Sequence, residues 1–209
     1  MVADLTTDIL RTILNIIIIS LHQAEAPLGR SHWREGFMNV TVIYGSESGT
    51  TKAIAKRIAA GLQAKLVNIT AANPADFEQC DLLVLGSPTY GIGDLQTDWE
   101  DRIASLHNAN LSGKQVAIFG TGDQATYSDS FVDAIGILHD IVVEKGAVIV
   151  GHTSTDGYDY TASLAERDGR FVGLALDEDG QSSKTEKRIA AWLAQLAETQ
   201  SLPQAALSA

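Results

Sequence analysis

The run Asp81–Gly86, DLLVLG, is apolar at every position between its ends. A strand with one face in water alternates polar and apolar residues, so an unbroken apolar run points to a strand covered on both faces. Similar runs occur at Asn39–Tyr44, Lys65–Ile69 and Gln115–Phe119, and as two halves at Ala147–Val150 and Phe171–Leu176. Helical periodicity stands between them. Ile54, Ile58 and Leu62 recur at i, i+4, i+8 within Thr50–Leu62. Pro74–Gln79 starts a short helix and Asp94–Leu106 forms another. Ser128–Glu144 turns Phe131, Ile135, Leu138 and Val142 to one side, and Lys184–Glu198 does the same with Ile189, Trp192, Leu193 and Leu196. Strands alternating with helices predict an α/β fold, a doubly wound five-stranded parallel sheet with its last strand split. No internal repeat or low-complexity tract interrupts the pattern.

Open parallel sheets bind ligands outside the carboxyl ends of their strands, where strand order reverses. Three segments are therefore of interest. The first follows Tyr44 and reads Ser46, Glu47, Ser48, Gly49, Thr50, Thr51. No second Gly followed by Lys stands at the P-loop spacing from Gly45, and Gly45 and Gly49 do not form G-x-G-x-x-G. Hydroxyls and the free N–H groups of a helix start can nevertheless hold a dianion. An N-cap needs one hydroxyl; this loop offers Ser46, Ser48, Thr50 and Thr51.

The second segment is Ser87–Asp94, containing Pro88, Thr89, Tyr90, Gly91, Ile92 and Gly93. Tyr90 is a candidate stacking platform, and Gly91 allows the Gly91–Ile92 peptide to reorient. By itself the segment also reads as an ordinary Pro/Gly turn. The third segment is Gly120–Tyr127, where Thr121, Gly122 and Asp123 offer backbone edges and Tyr127 a second platform. Together the three segments describe a phosphate monoester joined by a spacer to a flat heterocycle. A nucleoside triphosphate calls for Lys and a Mg²⁺-binding Asp, which the first loop lacks. FMN fits the description.

At these residues the chain resembles the flavodoxins of the long-chain type. The motifs are YGSESGTT (44–51), GSPTYGIGDLQTDW (86–99), FGTGDQATYSDSF (119–131), STDGYDY (154–160) and FVGLALDED (171–179). The resemblance runs from Met38 to about Leu196 and implies strand order 2-1-3-4-5. It implies that residues 46–51 hold the FMN phosphate and that Thr89 faces the ribityl chain. Tyr90 and Tyr127 would cover the two ring faces, Gly91 would carry the peptide that flips toward flavin N5, and Asp123 would lie near the pyrimidine edge. Residues 151–170 match the insertion that splits the last strand in long-chain members. Tyr90 stands where the family often has Trp.

The implied function is low-potential, one-electron carriage between the semiquinone and hydroquinone of non-covalently bound FMN, not enzymatic turnover. Basic redox proteins are the expected partners, with a flavin reductase as donor and ferredoxin-dependent type enzymes as acceptors. One alternative is an FMN-dependent NAD(P)H:quinone oxidoreductase on the same fold, which would need a substrate pocket over the flavin. A phosphoryl-accepting signalling module would need an acidic cluster after the first strand, and Glu47 alone does not supply one.

Charge agrees with basic partners. The net charge is −11, which disfavours nucleic acid and anionic membranes. From Met38 onward 12 basic and 22 acidic residues remain, a net of −10. Asp94, Asp98, Glu100, Asp101, Asp123 and Asp129 crowd the expected ligand edge; a solvated helix face is the bland account of them. The histidines show no metal-ligand spacing. Cys80 is the sole cysteine, so no internal disulfide forms. A monomer in the cytoplasm is the expectation.

Residues 1–37 differ in composition from the rest. Their apolar run Ile9–Leu21 is shorter than the roughly 17 residues that span a bilayer. Asp4 and Asp8 precede it where a secretory signal carries Lys or Arg. The expectation is a dispensable or disordered extension ahead of an FMN-binding domain at 38–209, with an ordered add-on and a targeting segment as the other readings.

Overall fold

The computed structural model describes residues 38–201. The expected extension at 1–37 lies outside the described residues.

Strands β1 (Val40–Tyr44), β2 (Lys65–Asn68), β3 (Leu82–Tyr90), β5 (Gln115–Gly122) and β10 (Leu174–Asp177) lie in the order β2-β1-β3-β5-β10, every neighbouring pair parallel. This is the expected 2-1-3-4-5 arrangement. The last position is indeed shared. Strand β6 (Val148–Ile149) runs beside Gln115 and Val116, and β10 runs beside Phe119–Gly122.

Side chains leave a strand alternately on opposite faces, and the core divides accordingly. Ile43, Leu83, Leu85, Val116 and Ile118 pack beneath α2 (Pro74–Glu78), α3 (Thr97–Asn108) and α4 (Asp133–Glu144). Val42, Tyr44, Val84, Ala117 and Phe119 pack beneath α1 (Thr50–Leu62) and α5 (Ser182–Ser201). Trp99 and Trp192 are buried on opposite sides of the sheet. Strands covered on both faces explain the unbroken apolar runs.

Several boundaries differ from expectation. Strands β3 and β5 continue past their apolar runs to Tyr90 and Gly122. Thr89 and Tyr90 pair antiparallel with β4 (Asp94–Leu95), so α3 begins at Thr97 and not at Asp94. Ser128–Ser130 is a 3₁₀ turn, and Val132 at φ +52° separates it from α4. Ile69 leaves β2 for another 3₁₀ turn.

Phe171 belongs to a separate antiparallel sheet of β7 (Thr153–Ser154), β9 (Arg170–Phe171) and β8 (Glu166–Arg167), not to the last strand. There Tyr158 and Tyr160 pack on Phe131 and Phe171, with ring centroids 5.2–5.6 Å apart. Tyr158 donates to the Ala175 carbonyl and Tyr160 to Glu166 Oε2. Burial pushes the Tyr158 hydroxyl up to about 12. Burial, then Glu166, raises that of Tyr160. Both phenols are committed to packing the insertion.

Gly136 lets the insertion touch α4. A Cβ built there would sit 2.3 Å from the Leu164 carbonyl oxygen, a backbone atom that cannot swing aside. Overpacking costs about 1–3 kcal/mol, and better helix propensity returns about 1 kcal/mol. Gly136→Ala is therefore expected to destabilise by about 1–2 kcal/mol in urea unfolding; a neutral or stabilising result would show that the insertion moves freely.

Candidate functional site

A cavity of about 680 Å³ opens where the carboxyl ends of β1, β3 and β5 meet. The chain runs outward from β1 to β2, then crosses back to β3 on the other side. The crevice left by that reversal is where such sheets take ligands.

The β1–α1 segment contributes Ser48, Thr50 and Thr51 to the lining. Its N-cap is Gly49 at φ +98°, with no side-chain cap. Ser46 is turned to the protein itself, its Oγ accepting from the Lys52 N–H at 3.2 Å. Glu47 is exposed. Ser46, Glu47 and Gly49 shape the turn and lie outside the cavity lining. Thr51 is buried, and its hydroxyl lies 3.3 Å from that of Thr121 on β5. That contact ties the first segment to the third.

The second segment supplies Pro88, Thr89, Tyr90 and Gly91. The Thr89 hydroxyl accepts from the Ala134 N–H at 3.1 Å and so also caps α4. Gly91 has φ +55°, a conformation that costs Gly little and other residues more. Ile92, at 89% exposure, is the loop tip, and Gly93 is buried against Asp133; neither lines the cavity. The third segment supplies Thr121, Gly122, Asp123 and Tyr127, the last 53% exposed. Asp123 Oδ1 accepts from the N–H groups of Ala125 and Thr126, each at 2.9 Å. Hydrogen bonds from Thr126 hold its carboxyl below the usual range. Its charge is thus fixed by the turn it organises.

Among the described residues, no Lys or Arg lines this cavity. Hydroxyls, the start of α1 and two tyrosines line it together. That donor set suits a phosphate monoester carrying a flat ring and has no cation for a triphosphate.

The sequence profile of the Flavodoxin family matches residues 42–192. The chain belongs to the flavodoxin family. Relatives include a flavodoxin of Nostoc sp., 44% identical over 160 residues, which cover 75% of this chain and 94% of that protein. Flavodoxin 1 of Escherichia coli K12 is 43% identical over 162 residues, covering 75% and 92%. Among solved structures, Fusobacterium nucleatum flavodoxin bound to flavin mononucleotide superposes with a TM-score of 0.74 at 34% identity. That match covers 78% of this chain and 98% of that one.

In this flavodoxin the cavity has a fourth wall that the sequence reading missed. Glu178 and Asp179, just beyond β10, line it, as does Thr126. The signal was available, because the carboxyl end of the last strand opens on the same edge as the others. Asp177 beneath them is fully buried. It accepts from Gln124 Nε2 at 2.5 Å and from the N–H groups of Asp179 and Gly180 at 3.1 and 2.7 Å. Asp123, Glu178 and Asp179 give the cavity rim a negative character.

Proposed function

We propose that this flavodoxin holds FMN non-covalently in the cavity and carries single electrons between protein partners at low potential. The observation that supports this is one cavity uniting a hydroxyl-lined helix start with two tyrosines, with no Lys among its described lining residues. Ser48, Thr50, Thr51 and the first N–H groups of α1 would hold the phosphate, with Ser46, Glu47 and Gly49 setting the shape of the loop. Pro88 and Thr89 would border the ribityl chain, and Tyr90 and Tyr127 the ring. Gly91 between Tyr90 and the Ile92–Gly93 tip, together with Thr121, Gly122 and Asp123, would border the ring's edges. When bound, FMN supplies stepwise one-electron oxidation and reduction. The chain's part is to exclude water from the ring faces and to surround it with negative charge, which raises the cost of each added electron.

Absorbance of the purified protein during stepwise reduction tests the reading. Yellow protein with one FMN per chain and two resolved one-electron steps is the expected result. A colourless protein that takes up no added FMN overturns the cofactor, and a single two-electron step overturns one-electron carriage. Incubation with NADPH alone is expected to leave it oxidised; rapid bleaching would favour an NAD(P)H:quinone oxidoreductase. Tyr90→Ala removes one ring contact, for which about 0.5–1.5 kcal/mol beyond area burial is typical. FMN is then expected to bind up to about tenfold more weakly by fluorescence titration; unchanged affinity would remove Tyr90 from the ring.

Asp94, Glu100, Asp101 and Asp129 are exposed, and Asp98 is half-buried. Asp98 and Glu100 also sit in the first turn of α3, where the helix dipole favours them. The surplus suits docking of a basic reductase or a ferredoxin-dependent type enzyme to a monomer. Reduction by such a reductase is expected to slow about tenfold or more between low salt and several tenths molar. A flat salt response in stopped flow would remove the steering.

A further inference from the structure

A second cavity, of about 390 Å³, lies between the insertion and α5 and shares no lining residue with the first. Arg170 of β9 and Arg188 of α5 both line it. The Arg188 guanidinium lies over the Tyr158 ring, Cζ 3.9 Å from the centroid, and donates through Nη2 to Gln181 Oε1. Its Nη1 is buried with no hydrogen-bond partner. Arg170 donates to the His152 carbonyl at 2.9 Å. Among the described residues neither guanidinium has a carboxylate within 4.0 Å. Asp156, the one acid among the described lining residues, is engaged by the Ser154 hydroxyl at 2.8 Å. Burial, with the charges of Arg170 and His139, keeps the His152 imidazole below its ordinary value. The local field is therefore positive on a domain whose net charge is −10 (12 basic, 22 acidic).

A half-buried guanidinium without a counterion is costly, and its planar fork matches an oxyanion. We propose that this cavity is a second binding site, taking a small oxyanion, phosphate or carboxylate, between Arg170 and Arg188. The bound anion joins the insertion to the last helix. The proposal does not rest on the flavin reading.

Two tryptophans separate the sites. The Trp192 indole lines the second cavity and donates to the Gly151 carbonyl, whereas the Trp99 indole packs beside Gly45, where the first segment leaves β1. FMN-saturated protein is titrated with inorganic phosphate, and separately with acetate, and the assigned indole N–H signals are followed by NMR. The expected result is a saturable shift at Trp192 with Trp99 unmoved. Saturation by phosphate alone names a phosphate ligand; saturation by acetate as well names any oxyanion. Arg170 is exposed, so Arg170→Gln leaves the fold intact and is expected to weaken binding about tenfold, with Arg170→Lys restoring part of it. Arg188→Lys keeps the charge but loses the fork, and several-fold weakening is expected. A shift at Trp99 alone, one that sodium chloride reproduces, or variants that titrate like the unchanged protein would each overturn the site.

Discussion

Trp99→Ala is expected to destabilise the fold by about 3–5 kcal/mol, the usual range for truncating a fully buried Trp. The side chain is completely buried among the residues beneath α3. It packs directly on the start of the first binding segment, since a Cβ added to Gly45 would lie 2.5 Å from its Cδ1. Its Nε1 donates to the Gly86 carbonyl at 2.9 Å. That carbonyl also accepts from the Gly45 N–H at 3.0 Å, so it keeps a partner when the indole is lost. Most of the cost is therefore the vacated volume, not an orphaned acceptor. Trp99→Phe separates the two contributions: it keeps much of the packing, loses the hydrogen bond, and is expected to cost about 1–2 kcal/mol. Urea midpoints at fixed FMN measure both. An alanine variant within 1 kcal/mol of the parent would show that the region relaxes around the void. Weaker FMN binding should accompany the loss, because Trp99 braces the carboxyl ends of β1 and β3.

Asp177→Ala is expected to cost about 3–5 kcal/mol as well, through a different mechanism. This carboxylate is fully buried with no cationic partner among the described residues. N–H donors from Gln124, Asp179 and Gly180 hold it instead. Gln124 Oε1 in turn accepts from the Asp159 N–H at 2.6 Å, so one chain of bonds joins β10, the third binding segment and the insertion. Alanine leaves several buried donors unsatisfied, each costing about 1–3 kcal/mol. Asp177→Asn keeps the acceptor for the two backbone N–H groups and sets an amide against the Gln124 amide. It should fall between the parent and the alanine variant. If the asparagine variant matches the parent, the negative charge is dispensable. Loss of the network also frees the turn carrying Glu178 and Asp179, and FMN affinity should fall with stability.

The strands buried on both faces were legible because β1 and β3 carry Val, Ile and Leu without interruption. Helix α1 was legible because Ile54, Ile58 and Leu62 recur at helical spacing within Thr50–Leu62. The three binding segments followed from strand polarity alone, and twelve of their residues line one cavity. Other features left no local trace. Tyr90 remains in a strand only because Asp94 pairs with it from across a turn. Phe171 looks like the start of the last strand, yet pairs with Glu166 in a hairpin and with Thr153, eighteen residues back. The left-handed Val132 breaks a helical pattern at a point where residues 128–135 offer no Gly or Pro to announce the break.

By itself, then, the amino-acid sequence determined which segments are strands and helices, the parallel layering, and the chemistry of the cavity's hydroxyls and phenols. These are properties of residue type and spacing, and they act over a few positions. Only the tertiary structure decided that Thr51 meets Thr121 within the cavity, that Gln124 joins Asp177 to Asp159, and that Arg170 and Arg188 meet around a second cavity. Those outcomes depend on which distant segments share a hydrogen bond or a volume, and no local pattern encodes such pairings.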